Sequence, residues 1–185
     1  MNQRGRVERA RQGDHDAFAE LARGAVTRLD RAARLILRDP ELARDAVQEA
    51  LIRAWRDLKG LRDPERFDAW LHRLLTNACA DQGRLRKRWS AEIQVIRALP
   101  SSDGGYGAMD DRDQLERGFK RLKTDQRVAF VMHHYLGLTV PEIADTLGIP
   151  EGTVKSRLHY ATGAMRAALE ADGRRPAIAT NGRSA

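Results

Sequence analysis

Cysteine, aromatic residues and long hydrophobic runs are all scarce in this 185-residue sequence. Cys79 is the only cysteine, which excludes an intramolecular disulfide and a thiolate-rich metal site. Aromatic residues make up 5% of the chain and hydrophobic residues 42%, so we expect cores built from Leu, Ala and Val. No run approaches the roughly 18 apolar residues of a membrane span, and the first residues lack the apolar segment of a signal peptide. The sequence therefore predicts a cytoplasmic protein.

Motifs for nucleotide binding, metal binding and nucleophilic catalysis are missing as well. The sequence contains no GxxxxGK[ST] loop, no GxGxxG turn and no GxSxG elbow. His133 and His134 are adjacent, so on a helix they point in different directions instead of forming the i, i+4 pair of a helical metal site. Cys79 falls on an apolar helical face and is predicted to be a small buried hydrophobe. The sequence nominates no catalytic residue and no cofactor, and it predicts a chain that is not an enzyme.

Residues 139–160 have the pattern of two short helices joined by a glycine turn. Thr139 and Glu142 fit a capping box, and Gly148 suits the end of the first helix. Pro150 suits the first turn of the second helix. The side chains predicted to pack inward from this second helix are Val154, Leu158, Ala161 and Leu169. Such a helix-turn-helix is typical of proteins that read a DNA major groove.

The outer face of the second helix is predicted to be polar. Its hydroxyl, cationic and imidazole groups suit contacts with phosphates and base edges, and the residues concerned are Thr153, Lys155, Ser156, Arg157 and His159. The alternative is a solvated basic helix in an ordinary bundle.

Helical periodicity extends through the rest of the chain, and no strand is predicted. Asp14 suits the N-cap of one helix, and an Asp-Pro pair begins a helix both at Asp39 and at Asp63. Three such helices with short connections make a compact bundle. In the C-terminal half, Thr124 is the predicted cap of a helix that precedes the helix-turn-helix.

The segment LPSSDGGYGAMDD at 99–111 loses periodicity and has the composition of a linker. We therefore expect an all-α fold of two small helical bundles. The predicted divisions are an N-terminal domain at 10–90, a flexible linker at 91–112, a C-terminal domain at 113–171 and a disordered tail at 172–185.

The net charge of +7 suggests a polyanionic partner. Residues 1–90 contain 20 Lys and Arg against 14 Asp and Glu, whereas residues 113–171 contain 8 against 7. Most of the positive charge therefore lies outside the helix-turn-helix. The cluster Arg84, Arg86, Lys87 and Arg88 favours a second nucleic-acid surface in the N-terminal half, although such an excess is also compatible with ordinary solubility.

Together the two halves resemble the extracytoplasmic-function sigma factors, the small two-domain initiation subunits of bacterial RNA polymerase. The N-terminal segments that carry the resemblance are GDHDAFAEL at 13–21, ARDAVQEALIRAW at 43–55 and FDAWLHRLLTNACADQGRLRKR at 67–88. The C-terminal segment is LKTDQRVAFVMHHYLGLTVPEIADTLGIPEGTVKSRLHYA at 122–161. The C-terminal pattern alone is shared with other regulators, but its position after the N-terminal segments and a linker makes the resemblance specific.

The resemblance implies a docking surface for the largest subunit of core RNA polymerase. It is carried over to four residues of the second predicted helix, Asp45, Gln48, Glu49 and Arg53. The alternative is that these residues are merely the solvated side of a bundle helix.

The resemblance also implies two contacts with promoter DNA. Arg62, Asp63 and Arg66 match the part of the family that captures a flipped base of the minus 10 element, and such a pocket must offset a few kcal/mol of unstacking. The remaining minus 10 candidates face melted strand or its phosphates, and they are Asn77, Arg84, Arg86, Lys87 and Arg88. Trp55 and Trp70 are predicted core residues, with base stacking as the alternative.

The second helix of the helix-turn-helix matches the reader of the minus 35 element. Within the set Thr153, Lys155, Ser156, Arg157 and His159, the two basic residues Lys155 and Arg157 are the expected phosphate or guanine contacts. One good bidentate base contact gives about 1–3 kcal/mol of discrimination.

The implied function is that of a sigma factor, which binds core polymerase and promoter DNA and is controlled by an anti-sigma factor. The alternative is a two-domain repressor or activator that acts without polymerase. An enzyme domain fused to a helix-turn-helix is a more distant third.

Overall fold

The computed structural model describes residues 2–93 and 118–172, with the side chains at 84–93 and 171–172 left undescribed. Helices and turns account for the regular structure of these residues, without a strand, as the sequence predicts. The N-terminal half contains α1 (Gln3–Arg11), α2 (His15–Leu37), α3 (Pro40–Asp57) and α4 (Phe67–Ile93). The C-terminal half contains α5, described at residues 118–121, α6 (Thr124–Phe130), α7 (Val140–Leu147) and α8 (Glu151–Asp172).

Carboxylate and amide caps fix the starts of the first three helices. The Asp14 side chain accepts a hydrogen bond from the N–H of Ala17 at 3.0 Å, and Asp39 accepts from two backbone N–H groups at the start of α3. These two caps were predicted from the sequence. The Asn2 side chain accepts from Gly5 in the same way and begins α1, which the sequence reasoning missed. The N-terminal bundle therefore includes a helix that starts before residue 10.

The core of the N-terminal half is formed where α2, α3 and α4 pack together, with α1 against α2. Its large, fully buried side chains are Val7, Leu29, Ile36, Leu58, Phe67, Leu71 and Leu75. Small residues of α3, including Ala43 and Ala50, are fully buried and let the helices approach closely. Cys79 is buried as expected.

The connection between α3 and α4 contains two short 3₁₀ turns, Leu58–Gly60 and Pro64–Arg66. The Asp63–Pro64 pair was predicted to begin a long helix, and it begins the second of these turns instead. The α-helix starts three residues later, at Phe67.

The C-terminal half begins its second helix differently from the prediction. Thr124 is the first residue of α6 and Lys123 is the N-cap, so the assignment of Thr124 as the cap was wrong. The reason is that the Gln126 side chain accepts the N–H of Lys123 at 3.1 Å, which satisfies the cap without a threonine hydroxyl. Beyond α6 the chain continues into a π-helical turn at Val131–Tyr135.

The helix-turn-helix has the predicted geometry. The Thr139 N–H donates to the Glu142 side chain at 2.9 Å, and the Thr139 hydroxyl accepts from the Glu142 N–H, which makes the expected capping box. Gly148 ends α7 with a positive φ of 63°. Pro150 lies one residue before α8 rather than inside it, and its carbonyl accepts from Thr153 and Val154.

The inward face of α8 is formed by Val154, Ala161, Met165 and Ala168, which are all buried. The prediction that Leu169 packs inward was wrong, because this side chain is 42% exposed. One residue turns a helix by about 100°, so Leu169 points away from the face that Ala168 occupies.

The two halves pack against each other along a boundary that we call the seam. At the seam, α2 contacts α6 and the π-helical turn, and α4 contacts α7. Buried apolar side chains of both halves form one continuous cluster. The predicted linker at 91–112 begins inside α4, which continues to Ile93, and its remaining residues lie outside the described part of the chain. The predicted tail at 172–185 starts at the last residue of α8 and otherwise lies outside it as well.

Candidate nucleic-acid and protein interfaces

The outward surface of α8 is a stripe of polar side chains. Lys155, Ser156 and His159 are exposed, and their spacing of three and four residues brings them to one side of the helix. Tyr160 lies next to His159 and is 65% exposed, an unusually high value for a large aromatic side chain. We call these four residues the α8 stripe. Tyr160 was not among the predicted DNA contacts, although its place one turn beyond Ser156 was visible in the sequence.

Two other predicted members of this surface make contacts within the chain. The Arg157 guanidinium contacts Asp125 of α6 at 3.2 Å and is only 25% exposed, so it ties α8 to the preceding helix. Thr153 is partly buried, and its carbonyl accepts from the Ser156 hydroxyl at 2.9 Å. The structure therefore separates Arg157 and Thr153, at the edge of the surface, from the α8 stripe.

The charge on the α8 stripe remains accessible. Lys155 contacts Glu151 one turn earlier at 3.4 Å, but both side chains are well exposed. Exposed pairs of this kind contribute little free energy, because water and salt screen them. The ammonium group of Lys155 is therefore free to exchange the carboxylate for a phosphate.

The loop before α4 is anchored by apolar residues and presents basic ones. Leu58 and Leu61 are buried, whereas Arg62 and Arg66 are exposed. Asp63 is also exposed, but its carboxylate accepts from the Glu65 N–H at 3.0 Å and caps the second 3₁₀ turn. The loop therefore holds two cations on a fixed backbone, with Asp63 in a structural position.

The other predicted minus 10 residues lie along α4. Asn77 is partly buried on this helix. The backbone of α4 remains helical to Ile93, so the four basic residues of the cluster belong to the same helix. Their side chains, at Arg84, Arg86, Lys87 and Arg88, lie outside the described part, and their role stays a prediction.

The four predicted docking residues of α3 divide into two pairs. Asp45 and Gln48 are exposed. Glu49 and Arg53 are partly buried and joined, with the Arg53 Nε at 2.6 Å from Glu49 and its terminal nitrogens at 3.1 Å from Asp81 of α4. The hydrogen bond that Arg53 donates to Glu49, followed by its hydrogen bonding to Asp81, raises the pKa of Arg53. This pair therefore links α3 to α4 within the bundle.

An apolar groove of about 570 Å³ runs between α2 and α3, beside Gln48. We call it the α2–α3 groove. Its rim includes the exposed apolar residues Val26 and Ile52, which are 39% and 51% accessible. The other side chains that line it are Phe18, Asp30, Arg44, Val47, Leu51 and Trp55. Sequence reasoning missed this surface, and the exposed Ile at 52 within a charged helix was the signal that could have shown it.

Trp70 packs against the buried core, and Trp55 is partly buried between α2 and α3. The Trp55 ring lies 5.0 Å from Phe18 and 4.5 Å from His15, measured between ring centroids. Trp70 lies 6.1 Å from Phe67. The position of Trp70 agrees with the prediction of a core residue, whereas Trp55 forms one wall of the α2–α3 groove.

Two buried side chains of α4 have strongly altered acid-base properties. Burial raises the pKa of the Cys79 thiol to about 12, so the thiol stays protonated and unreactive. Burial, and to a lesser degree Arg28, lowers the pKa of His72 to about 4. Among residues 2–93 and 118–172, no group of three His, Cys, Asp or Glu side chains is arranged to hold a metal ion. Within the same ranges, no helix is both long and apolar enough to cross a membrane.

Two family models match the chain. The model for sigma-70 region 2 matches residues 21–91, and the model for sigma-70 region 4 matches residues 112–162. The two matches together include the loop before α4, the α8 stripe and, except for Phe18, the side chains that line the α2–α3 groove.

Relatives of similar length match the sequence. The chain is 34% identical over 145 residues to the ECF RNA polymerase sigma factor SigM of Mycobacterium tuberculosis, covering 78% of this chain and 73% of SigM. It is 35% identical over 155 residues to the RNA polymerase sigma-E factor of Streptomyces avermitilis, covering 83% and 85% of the two chains.

Solved structures match the fold. The sigma factor RpoE of Bartonella quintana, in complex with the anti-sigma factor NepR, is 25% identical with a TM-score of 0.66, covering 83% of this chain and 98% of that one. CnrH, in complex with the cytosolic domain of CnrY, is 27% identical with a TM-score of 0.63, covering 92% and 98%.

Proposed function

The chain belongs to the family of extracytoplasmic-function RNA polymerase sigma factors, and from this we propose that it binds core RNA polymerase and directs initiation at promoters with defined minus 10 and minus 35 elements. The observation that supports the proposal best is the combination, in one chain, of an apolar protein-docking groove and a polar helix-turn-helix stripe. The protein performs no chemistry of its own and contributes specificity to the polymerase.

The α2–α3 groove is the proposed docking surface for polymerase. Exposed apolar patches rimmed by polar residues mark protein interaction sites, and an amphipathic helix of the partner fits such a groove. Ile52 and Val26 would contact its apolar face, while Gln48 and Asp45 would hydrogen-bond at the rim. Glu49 and Arg53 act indirectly, because Arg53 bonds both Glu49 and Asp81 and so keeps α3 in position against α4.

The loop before α4 and the basic part of α4 are the proposed minus 10 surface. Arg62 and Arg66 are exposed and close in sequence to the start of α4, where a flipped base and its phosphates would meet them. Asp63 supports this loop as a cap rather than through a base contact. Asn77 and the basic cluster that ends at Arg88 would continue the surface along the melted strand.

The α8 stripe is the proposed minus 35 reader. Lys155 suits a phosphate or guanine, Ser156 and His159 suit base edges, and Tyr160 offers an apolar ring and a hydroxyl. Arg157 would position α8 through Asp125 and contribute to DNA binding only by exchanging that partner.

Control by an anti-sigma factor is the further part of the proposal. Its support is that the structural relative RpoE is seen in complex with the anti-sigma factor NepR. The α2–α3 groove is the surface on which such a partner would compete with polymerase.

Reconstitution with core polymerase tests the function. The purified chain should bind core polymerase and produce transcripts with defined 5′ ends from a genomic library, and the sequences upstream should share two elements. Tight, sequence-specific binding to duplex by the isolated chain without affinity for core polymerase would contradict it. That result would favour a repressor or activator that acts alone.

A further inference from the structure

Arg28 connects the two halves of the molecule. It is an exposed residue of α2, and its guanidinium donates to the carbonyl oxygens of Leu136 at 3.0 Å and Tyr135 at 3.4 Å. These carbonyls lie where the π-helical turn after α6 ends, at the negative end of the helix dipole. A cation bonded to unpaired terminal carbonyls is a capping interaction, here supplied from the other half of the chain.

The rest of the seam combines attraction and repulsion. Arg66, in the loop before α4, contributes to lowering the pKa of Glu142 in α7, after the larger effect of the hydrogen bonds from Thr139. Near the C-terminal end of α2, Arg38 adds to burial in lowering the pKa of Arg127. Arg127 is a buried residue whose Nε has no hydrogen-bond partner among the described residues. Arg38 and Arg127 therefore repel each other across the seam. The Arg28 contact, which lies earlier along α2, holds the seam closed.

The closed seam brings the two proposed DNA surfaces together. Helix α4 packs on α7, so the loop with Arg66 lies beside the helix-turn-helix. On straight duplex, elements centred about 25 base pairs apart are separated by roughly 85 Å, at about 3.4 Å per base pair. A chain whose helix-turn-helix is held beside α4 in this way cannot span that distance to read both elements.

We propose that the Arg28 contact is an autoinhibitory latch, which holds the C-terminal half on the N-terminal half and must open before the chain engages a promoter. The proposal concerns the regulation of the proposed sigma-factor function and rests on it for its biological meaning. The latch itself is a property of the chain alone. Opening breaks the hydrogen bonds from Arg28 to the end of the π-helical turn, and it relieves the repulsion between Arg38 and Arg127.

Two substitutions move the equilibrium in opposite directions. Arg28→Ala removes the latch, and because hydrogen bonds to charged groups are strong, we expect the ratio of open to closed chains to rise about fivefold to tenfold. Arg38→Glu replaces a like charge by an opposite one beside Arg127, so this ratio should fall. Arg31→Ala is the matched control, since Arg31 is an exposed residue of the same helix. All three positions are exposed, and circular dichroism would verify that the helices are retained.

The distance between the halves is measured by spin labels on the full chain, at cysteines introduced for the exposed residues Ala80 of α4 and Ala167 of α8. The buried Cys79 does not compete for the label, because burial keeps its thiol protonated. Longer distances in Arg28→Ala, shorter ones in Arg38→Glu and no change in Arg31→Ala support the latch. An unchanged distribution in Arg28→Ala would overturn it.

Binding to core polymerase distinguishes failure of the latch from failure of the proposed function. If opening limits assembly, Arg28→Ala should bind core polymerase more tightly, by up to the factor by which the ratio of open to closed chains rises. Longer distances without any binding by either protein would retain the latch and reject the sigma-factor function. Binding by both proteins with unchanged distances would retain the function and reject the latch.

Discussion

The two halves of this protein are stabilised in different ways. Most of the large, fully buried side chains, including Leu29, Phe67 and Leu75, lie in the N-terminal half. The C-terminal half has shorter helices and depends more on local contacts such as the Thr139–Glu142 capping box and the positive φ of Gly148. The proposed interaction surfaces also differ, since the N-terminal half exposes an apolar groove and the C-terminal half exposes a polar stripe. Substitutions in the core, in the groove and in the stripe should therefore change different properties, namely stability, polymerase binding and DNA recognition.

Phe67→Ala should cause the largest loss of stability, and it would show how strongly folding depends on the N-terminal core. Phe67 is 2% exposed, and removing a buried Phe side chain costs about 3–5 kcal/mol. Urea denaturation followed by circular dichroism measures the free energy of unfolding. Phe67→Leu, which retains more of the buried volume, should lose less. A loss no greater than that of Arg31→Ala on the surface would refute the importance of this core.

Acid should weaken the N-terminal half through His72. An unfolded His binds a proton below about pH 6.5, whereas burial first, and Arg28 second, lowers the pKa of folded His72 to about 4. Relative to the acid limit, neutral His72 leaves the folded state more stable by roughly 3 kcal/mol. This difference is fully present above pH 6.5 and is lost as the pH falls towards 4. The free energies of unfolding measured at pH 7 and at pH 4.5 should differ less for His72→Gln than for the wild type. Identical pH dependence in the two proteins would exclude this role.

Ile52→Asp should separate polymerase binding from folding. Ile52 is 51% exposed on the rim of the α2–α3 groove, so a charge there remains solvated in the free chain but is buried when a partner docks. We expect at least about a tenfold loss of affinity for core polymerase, with little change in the free energy of unfolding. Fluorescence titration measures the affinity, and Arg31→Asp provides a charge control on the surface outside the groove lining. Equal loss in both variants would mean that general charge, rather than the groove, determines binding.

Thr139→Ala should give the smallest effect, confined to the start of α7. The substitution removes the hydroxyl of the capping box and should cost about 1 kcal/mol, whereas Thr139→Ser should retain the cap. Hydrogen bonds from Thr139 lower the pKa of Glu142 below its ordinary value of 4.5, so the stabilisation from this carboxylate is present above pH 4.5 and disappears as the pH falls below it. Hydrogen exchange of the α7 amides measures the local effect. Equal protection in the Ala and Ser variants would contradict the role of the hydroxyl.

The sequence predicted features that depend on neighbouring residues better than those that depend on distant ones. The caps at Asp14, Asp39 and Thr139 are recognisable because each residue bonds a backbone group two or three positions away. The Arg157–Asp125 contact was missed because its partners are 32 positions apart. Arg28, bonded to carbonyls 107 and 108 positions away, was missed for the same reason.

Two further differences have physical reasons of their own. Helix α1 was not predicted because its sequence is highly polar and buries mainly Val7 and Ala10, which gives a weak helical pattern. The α2–α3 groove was missed because it exists only where two helices meet. The family resemblance supplied Asp45 and Gln48 but not the apolar residues beside them, since a motif does not show which side chains remain uncovered.

The separate roles of the α2–α3 groove and the α8 stripe are tested most directly by run-off transcription from one selected promoter. The assay is repeated at increasing concentrations of core polymerase. The proteins are the wild type, Ile52→Asp in the α2–α3 groove, and a double variant Lys155→Ala, His159→Ala in the α8 stripe. High polymerase concentration should restore transcription by Ile52→Asp, because mass action overcomes weak docking. It should not restore the α8 variant, whose holoenzyme forms but does not recognise the promoter. If both variants recover equally, or neither does, the assignment of polymerase binding to the groove and promoter reading to the α8 stripe is wrong.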